Sequence, residues 1–480
     1  MQHFKWWLLW VVLCPMCAFA FSGANHADQT SFVLLNVTAI FFFAILGRYI
    51  ARCMNQPSVL GELVMGMLLG NLLYYFGFEL IVLLREGSAT FDVISQMLKN
   101  VSLTQAVTTI IPNPEYAQQI INALSGPHGA DYLKTAYVVD IFSRYGVIFL
   151  LFMVGLESSI EELKHTGRDS FFVAVIGVVA PMVLGFGMAH LLMPESSYQT
   201  NLFIAATLSA TSIGITARVL TEMKKLRTRE ARTILGAAML DDVLGLILLA
   251  VVSSVVLNGA VDILVIARII VASLLFFIGA LFLGPLILRK SIHFFRFLEP
   301  WEAKLFVSFL FIMFLSWLAA FIELATIIGA FTAGVIIHDE YFKALETNQK
   351  TRRTIYHLLS PLESILAPMF FILIGIQVKL ESFFHWKVVV LALGLIAAAV
   401  IGKLISGFGA NAKNDRLLIG IGMLPRGEVG LVFASIGRTL GVISDDLFSA
   451  VVLMVMVTTF IAPPLLKARY AVTEKGIINE

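Results

Sequence analysis

Apolar runs of about twenty residues, the length a helix needs to cross a bilayer, recur along nearly the whole of this 480-residue chain. Inside a hydrocarbon layer no water satisfies the peptide groups, so each such run must make its own hydrogen bonds as a helix. The chain therefore reads as an all-α polytopic membrane protein. Its 14% charged content agrees, since a soluble domain carries about 25%. Thirteen spans are expected, near 31–52, 58–76, 137–157, 170–193, 200–221, 232–257, 262–288, 302–319, 321–338, 362–379, 386–409, 416–438 and 446–467.

The loops between these spans sort by charge. With the mature N-terminus outside, 22 lysines and arginines fall on the cytoplasmic side and six (Arg85, Lys99, Lys134, Lys379, Lys387 and Arg438) on the other. That asymmetry predicts N-out and C-in for an odd number of spans. Residues 1–27 resemble a secretory signal: Lys5 precedes an apolar stretch, and A-F-A ends at Ala20. An uncleaved anchor is the alternative. Cys14 and Cys17 form a C-x-x-C inside that apolar stretch, where metal or redox work is not expected. Residues 77–136 are less apolar and read as an extracytoplasmic insertion with one or two amphipathic helices. A short cytoplasmic tail, 469–480, comes after the last span.

Against this apolar background, Asp241 and Asp242 are anomalous. Asp242 lies ten residues beyond Arg232, which at 1.5 Å per helical residue is about 15 Å deep, near the midplane. One carboxylate there costs about 2.5–3.5 kcal/mol on insertion scales. Lys403 lies equally deep, ten residues before Lys413. A buried ion pair is expected for it rather than a snorkelling side chain.

Two spans carry helix-disrupting composition at the same depth. One holds Thr207, Ser209, Thr211, Ser212, Gly214 and Thr216; the other Pro425, Arg426, Gly427, Glu428 and Gly430. Proline removes a backbone donor and glycine permits unusual dihedrals, so both can unwind where protein or a cavity surrounds them. Alone, either is a kink with small residues for close packing. Together they form a pattern: the first precedes the aspartate span, the second comes after the lysine span, and the loop charges run them in opposite directions. Opposed broken helices of this kind are what an inverted-repeat transporter needs, with its site at the repeat interface. Their half-helix dipoles call for balancing charges such as Glu428 or Lys403.

Other intramembrane charges read as more ordinary. Glu62, Glu157 and Glu323 are expected in structural pairs or at interfaces, and Arg218 and Arg268 at headgroups or helix ends. The G-A-F-T-A-G run at 329–334 is expected to be a packing face.

T-S-I-G-I-T-A-R-V-L (211–220), G-A-A-M-L-D-D-V-L-G-L (236–246), I-I-G-A-F-T-A-G (327–334), P-M-F-F-I-L-I-G-I-Q-V (368–378), I-G-K-L-I-S-G (401–407) and P-R-G-E-V-G-L-V-F-A (425–434) occur in this order. On these stretches the chain, from about 31 to 468, resembles bacterial monovalent cation:proton antiporters of the second cation/proton antiporter family, closest to the NapA type. The resemblance implies inverted three-helix repeats with two crossing broken helices. It implies a transport core (about 170–257 and 386–467), a dimerisation part (about 31–157 and 302–379) and a linker helix (262–288). Asp242 would be the main cation and proton carboxylate, Asp241 a possible second sodium ligand that pairs with Lys403. Thr211 and Ser212 would lie at the first break, and Arg426 and Glu428 would stabilise the crossing. The N-terminal segment and the insertion depart from the family pattern.

The expected activity is that of a secondary transporter of the bacterial inner membrane, not an enzyme. It exchanges sodium or lithium for protons through proton–cation competition at one carboxylate. Its expected partners are monovalent cations, protons, the bilayer and a second copy of the chain in a homodimer, with no cofactor and no nucleic acid. Hard oxygen ligands suit sodium. A potassium/proton antiporter on the same scaffold is the nearest rival, and the Asp-Asp pair with its short tail favours sodium. An intramembrane aspartyl protease would share a proton between aspartates on two helices, whereas these are consecutive on one. A passive channel would need a wide polar path.

Overall fold

The computed structural model describes residues 29–478 apart from 55, 88, 98, 100, 112–113, 158–166, 213–215, 217–218, 221–222, 224, 226–227, 259–262, 323 and 344–352. The signal-like segment 1–27 and Glu323 lie outside the described residues, as do the side chain of Glu157 and Arg218. Ten helices among the described residues are long and apolar enough to cross a membrane. The other three expected spans (200–221, 321–338 and 416–438) are shorter or interrupted helices.

The chain divides into two compact units. Residues 1–144 with 368–379 form the first, and residues 145–367 with 380–480 the second. Residues 145–157 and 302–367 thus group with the second unit in this division by compactness.

In chain order the helices begin with α1 (Gln29–Cys53), α2 (Ser58–Tyr75), α3 (Glu79–Glu86), α4 (Ala89–Met97), α5 (Leu103–Ile110), α6 (Pro114–Ser125) and α7 (Gly129–Glu157). Among the described residues the insertion therefore contains four short helices, α3 to α6, and not one or two. The reason lies in its apolar spacing: short amphipathic turns place Leu80, Leu83, Leu84, Val93, Ala106, Val107, Ile120 and Ala123 in one core with α1 and the end of the 355–377 helix.

Two features hold the first unit. Gly66 and Gly375 meet where two helices cross, and a Cβ on either would strike the backbone carbonyl of Ile372 or Leu63. Lys379 donates to Glu86 at 2.6 Å, with side-chain exposures of only 1% and 8%, and stands 3.7 Å above the Tyr116 ring. Glu62 pairs with Arg48 at 2.6 Å, the structural role expected for it. Gly375→Ala is expected to lower stability by about 1–3 kcal/mol, the usual effect of overpacking, read as an earlier thermal unfolding midpoint in detergent. An unchanged midpoint would mean that the crossing relaxes freely.

The second unit continues with α8 (Arg168–Leu192), α9 (Tyr198–Thr207), α10 (Arg229–Asn258), α11 (Ile263–Phe294), α12 (Pro300–Phe321), α13 (Thr326–Ile336) and α14 (Ile355–Gln377). It closes with α15 (Trp386–Ser406), α16 (Arg416–Gly422), α17 (Glu428–Thr439) and α18 (Asp445–Ile478). One sequence of elements appears twice: a long helix, an interrupted segment, a long helix. It is α8, α9 with its continuation, and α10; then α15, α16 with α17, and α18. α8 packs along both α15 and α10, so the two sets interlock. The G-A-F-T-A-G run is a packing face as expected: Gly329 lies against the Leu315 carbonyl and Gly334 against that of Phe152. Arg268 is exposed, in keeping with a headgroup position.

Candidate functional site

Asp241 and Asp242 sit mid-way along α10, and Lys403 lies one turn before the end of α15. α8 packs against both helices and has glycine at position 177, facing Lys403. A Cβ on Gly177 would lie 3.5 Å from Lys403 Nζ and 3.4 Å from Ser406 Cβ. The small residue leaves room for the lysine to reach across. Lys403 Nζ donates to Asp241 Oδ1 at 3.1 Å and to Oδ2 at 3.3 Å, and both side chains are fully buried. Asp242 is 3% exposed. Successive helical residues point about 100° apart, so Asp242 cannot share the direction of Asp241.

The interrupted segments meet beside this pair. After α9 the backbone leaves helical geometry through Ala210, Thr211 and Ser212, and between α16 and α17 it does so through Leu424, Pro425, Arg426 and Gly427. Proline and glycine explain the second interruption. Freed backbone groups at this depth need partners, and each break supplies them to the other. Ser212 N donates to the Pro425 carbonyl at 2.9 Å. Thr216 Oγ1 donates to the Gly422 carbonyl at 2.8 Å. The Arg426 guanidinium donates to the Ala210 carbonyl, and the Arg426 carbonyl accepts from Thr459 of α18.

Arg426 is fully buried and stands where α9 and α16 both end, so its charge offsets carbonyl dipoles at two helix C-termini. Charge interactions link Lys403 to Asp241, Asp242 and Arg426. Two carboxylates and two cationic groups thus share one buried volume, which reduces the desolvation cost that any of them would bear alone.

The structure brings Asp241, Asp242, Lys403 and Arg426 into one cluster, and places Thr211 and Ser212 at the first break. Thr211 Oγ1 is buried without a hydrogen-bond partner among the described residues. The Glu428 side chain lies outside the described residues. Sequence reasoning missed Thr459 and Gly177. A threonine in an apolar span and a glycine in a helix each have ordinary explanations, and only the crossing gives them a role. Thr216 was visible only as part of a small-residue run.

A cavity of about 630 Å³ opens along α10 from Arg229 through Thr233 and Gly236 to Met239. The cavity stops at Met239, one helical turn short of Asp242.

Known proteins are similar to this chain over most of its length. Residues 38–468 match the family described as sodium/hydrogen exchanger, transmembrane. The high-affinity sodium/proton antiporter NhaS3 of Synechocystis is 35% identical over 459 residues, which cover 92% of this chain and 91% of that protein. GerN of Bacillus cereus, named a sodium/proton–potassium antiporter, is 32% identical over 375 residues, covering 75% and 90%. Among solved structures, the sodium/proton antiporter MjNhaP1 of Methanocaldococcus jannaschii superposes with a TM-score of 0.57 at 16% identity, covering 92% of this chain and 98% of that one. At that identity the likeness speaks for the fold.

Proposed function

The chain belongs to the transmembrane sodium/hydrogen exchanger family, and on that premise we propose that it is a secondary antiporter exchanging sodium, or lithium, for protons. The observation that carries this reading is the buried Asp241–Lys403 pair beside Asp242 at the crossing of two interrupted segments. A carboxylate at this depth is neutralised either by a proton or by a cation. One group that accepts either, but not both, exchanges them when the site alternates between the two faces of the membrane.

Asp242 is the shared carboxylate, and Asp241 is held by Lys403. Thr211, Ser212 and the unwound carbonyls offer the neutral oxygens that a hard cation prefers. Arg426 holds the crossing together, and Glu428 is assigned to the same task. The protein lies in the bacterial inner membrane with its C-terminus in the cytoplasm, as the loop charges favour. Residues 170–257 and 386–467 carry the ion site, and residues 31–157 and 302–379 supply the contact of a homodimer.

A second reading, potassium/proton exchange, is favoured by the name of the Bacillus cereus relative. Proteoliposomes with a clamped potential separate the two. An imposed pH gradient is expected to drive uptake of sodium and lithium well above potassium. Equal or greater potassium flux would replace the sodium reading with its rival, and no cation-coupled proton flux at all would remove both.

A further inference from the structure

The cavity along α10 is electrostatically unusual for a cation route. Arg168, Arg229 and Arg232 line it, with Asp169 as its sole carboxylate among the described residues. Asp169 Oδ2 already accepts from Asn414 Nδ2 at 2.9 Å. None of the three arginines makes an ion pair among the described residues; Arg168 lies 5.4 Å over the Phe172 ring. Glu230 shares the first turn of α10 but does not line the cavity.

The arginines also sit at the wrong helix ends. Arg168 opens α8 and Arg229 opens α10, where the helix dipole is positive and favours acidic groups. Thr228 caps α10 by accepting from Ala231 N at 3.2 Å. α8 has no such cap, because Gly167 precedes it and offers no side chain. Among the described residues no side chain accepts from the first amides of α8, at residues lining the cavity, and they are open to an external acceptor. Three exposed arginines line the same cavity as these amides, and together they suit a tetrahedral oxyanion, which accepts forked hydrogen bonds from arginine and single ones from backbone N–H. The volume lies within the range of small-molecule sites.

We propose that this cavity binds a phosphate-bearing anion, supplied by a phospholipid headgroup or by soluble phosphate, and that its occupant governs cation access to Asp242. Empty, the cavity holds three arginines against one aspartate, an excess of positive charge on the approach to Asp242, and repels sodium. Occupied, it is near neutral and admits it. Arg229 to Met239 is ten residues of α10, so the anion end lies about 15 Å from the inner end. The access half rests on the antiport reading above; the binding half does not.

The test uses the purified full chain in lipid-free detergent, titrated with inorganic phosphate or with short-chain phosphatidylglycerol against chloride at matched ionic strength. At least one probe is expected to raise the thermal unfolding midpoint saturably. Arg229→Gln with Arg232→Gln is expected to weaken that probe about tenfold or more, as loss of charge-assisted hydrogen bonds does. A response to phosphatidylglycerol alone identifies a lipid headgroup, and one to phosphate alone a soluble anion. If neither probe binds, or both bind the variant as tightly as the parent, the site is overturned. Arg168→Gln, expected to weaken binding several-fold, serves if the double variant does not fold.

In proteoliposomes the bound probe is expected to lower the sodium concentration for half-maximal exchange several-fold in the parent and not in the variant. Binding with an unchanged sodium dependence overturns the access half. Binding without any sodium exchange overturns the function reading and leaves the anion site standing.

Discussion

Asp242→Asn is expected to reduce cation-coupled proton flux in everted vesicles to the level of empty vesicles. Asparagine nearly matches the carboxylate in volume, so the fold is expected to persist with a thermal midpoint close to the parent's. The amide keeps an oxygen ligand but neither takes up a proton nor carries the charge that compensates a cation. A monovalent cation buried at this site without a counter-charge carries a desolvation penalty of several kcal/mol, enough to empty the site at any cellular concentration. Variants of Thr211 or Ser212 would lose a neutral ligand and are expected to show weaker cation affinity with transport retained. Robust exchange by a well-folded Asp242→Asn protein would sink the assignment of Asp242.

Lys403→Gln is expected to act on both stability and charge movement. Asp241 and Lys403 are fully buried partners at 3.1 Å. Removing one member of such a pair leaves an uncompensated charge and costs about 3–5 kcal/mol. Adding Asp241→Asn to Lys403→Gln is expected to restore much of that loss, because no unpaired charge remains. The transport consequence comes from counting charge. If cation binding displaces Lys403 from Asp241 and the lysine gives up its proton, two protons exchange for each cation and the cycle moves net charge. With glutamine only the Asp242 proton is exchanged, and the cycle becomes electroneutral. Current and flux measured together in proteoliposomes check this. A current–flux ratio that does not move between parent and Lys403→Gln rejects the lysine as a proton carrier, whatever its structural role.

Much of this architecture is legible in the chain alone. Span length, loop charge and the depth of Asp241, Asp242 and Lys403 all come from local composition, because a bilayer imposes the same thickness and the same ban on unpaired peptide groups on every segment. The interruptions near 211 and 425 are visible for a related reason: Pro425, Gly427 and a run of threonines and serines cannot hold an apolar helix together unaided. The insertion reads as one or two helices where the structure has four, because short amphipathic turns borrow their stability from a core that the sequence does not reveal. Thr459 and Gly177 escape notice because a lone threonine or glycine carries no pattern.

By itself, then, the sequence determined that the chain is a membrane-spanning helical protein with charges and broken helices at mid-depth. Those properties depend on residues close together along the chain and on a uniform solvent. Tertiary structure decided which groups meet. Lys403 and Asp241 are separated by 162 positions, Ser212 and Pro425 lie in different repeats, and the arginines of the α10 cavity come from two helices. Side-chain pairing across such separations depends on where helices cross, and crossing points are set by packing summed over many contacts, which no local pattern encodes.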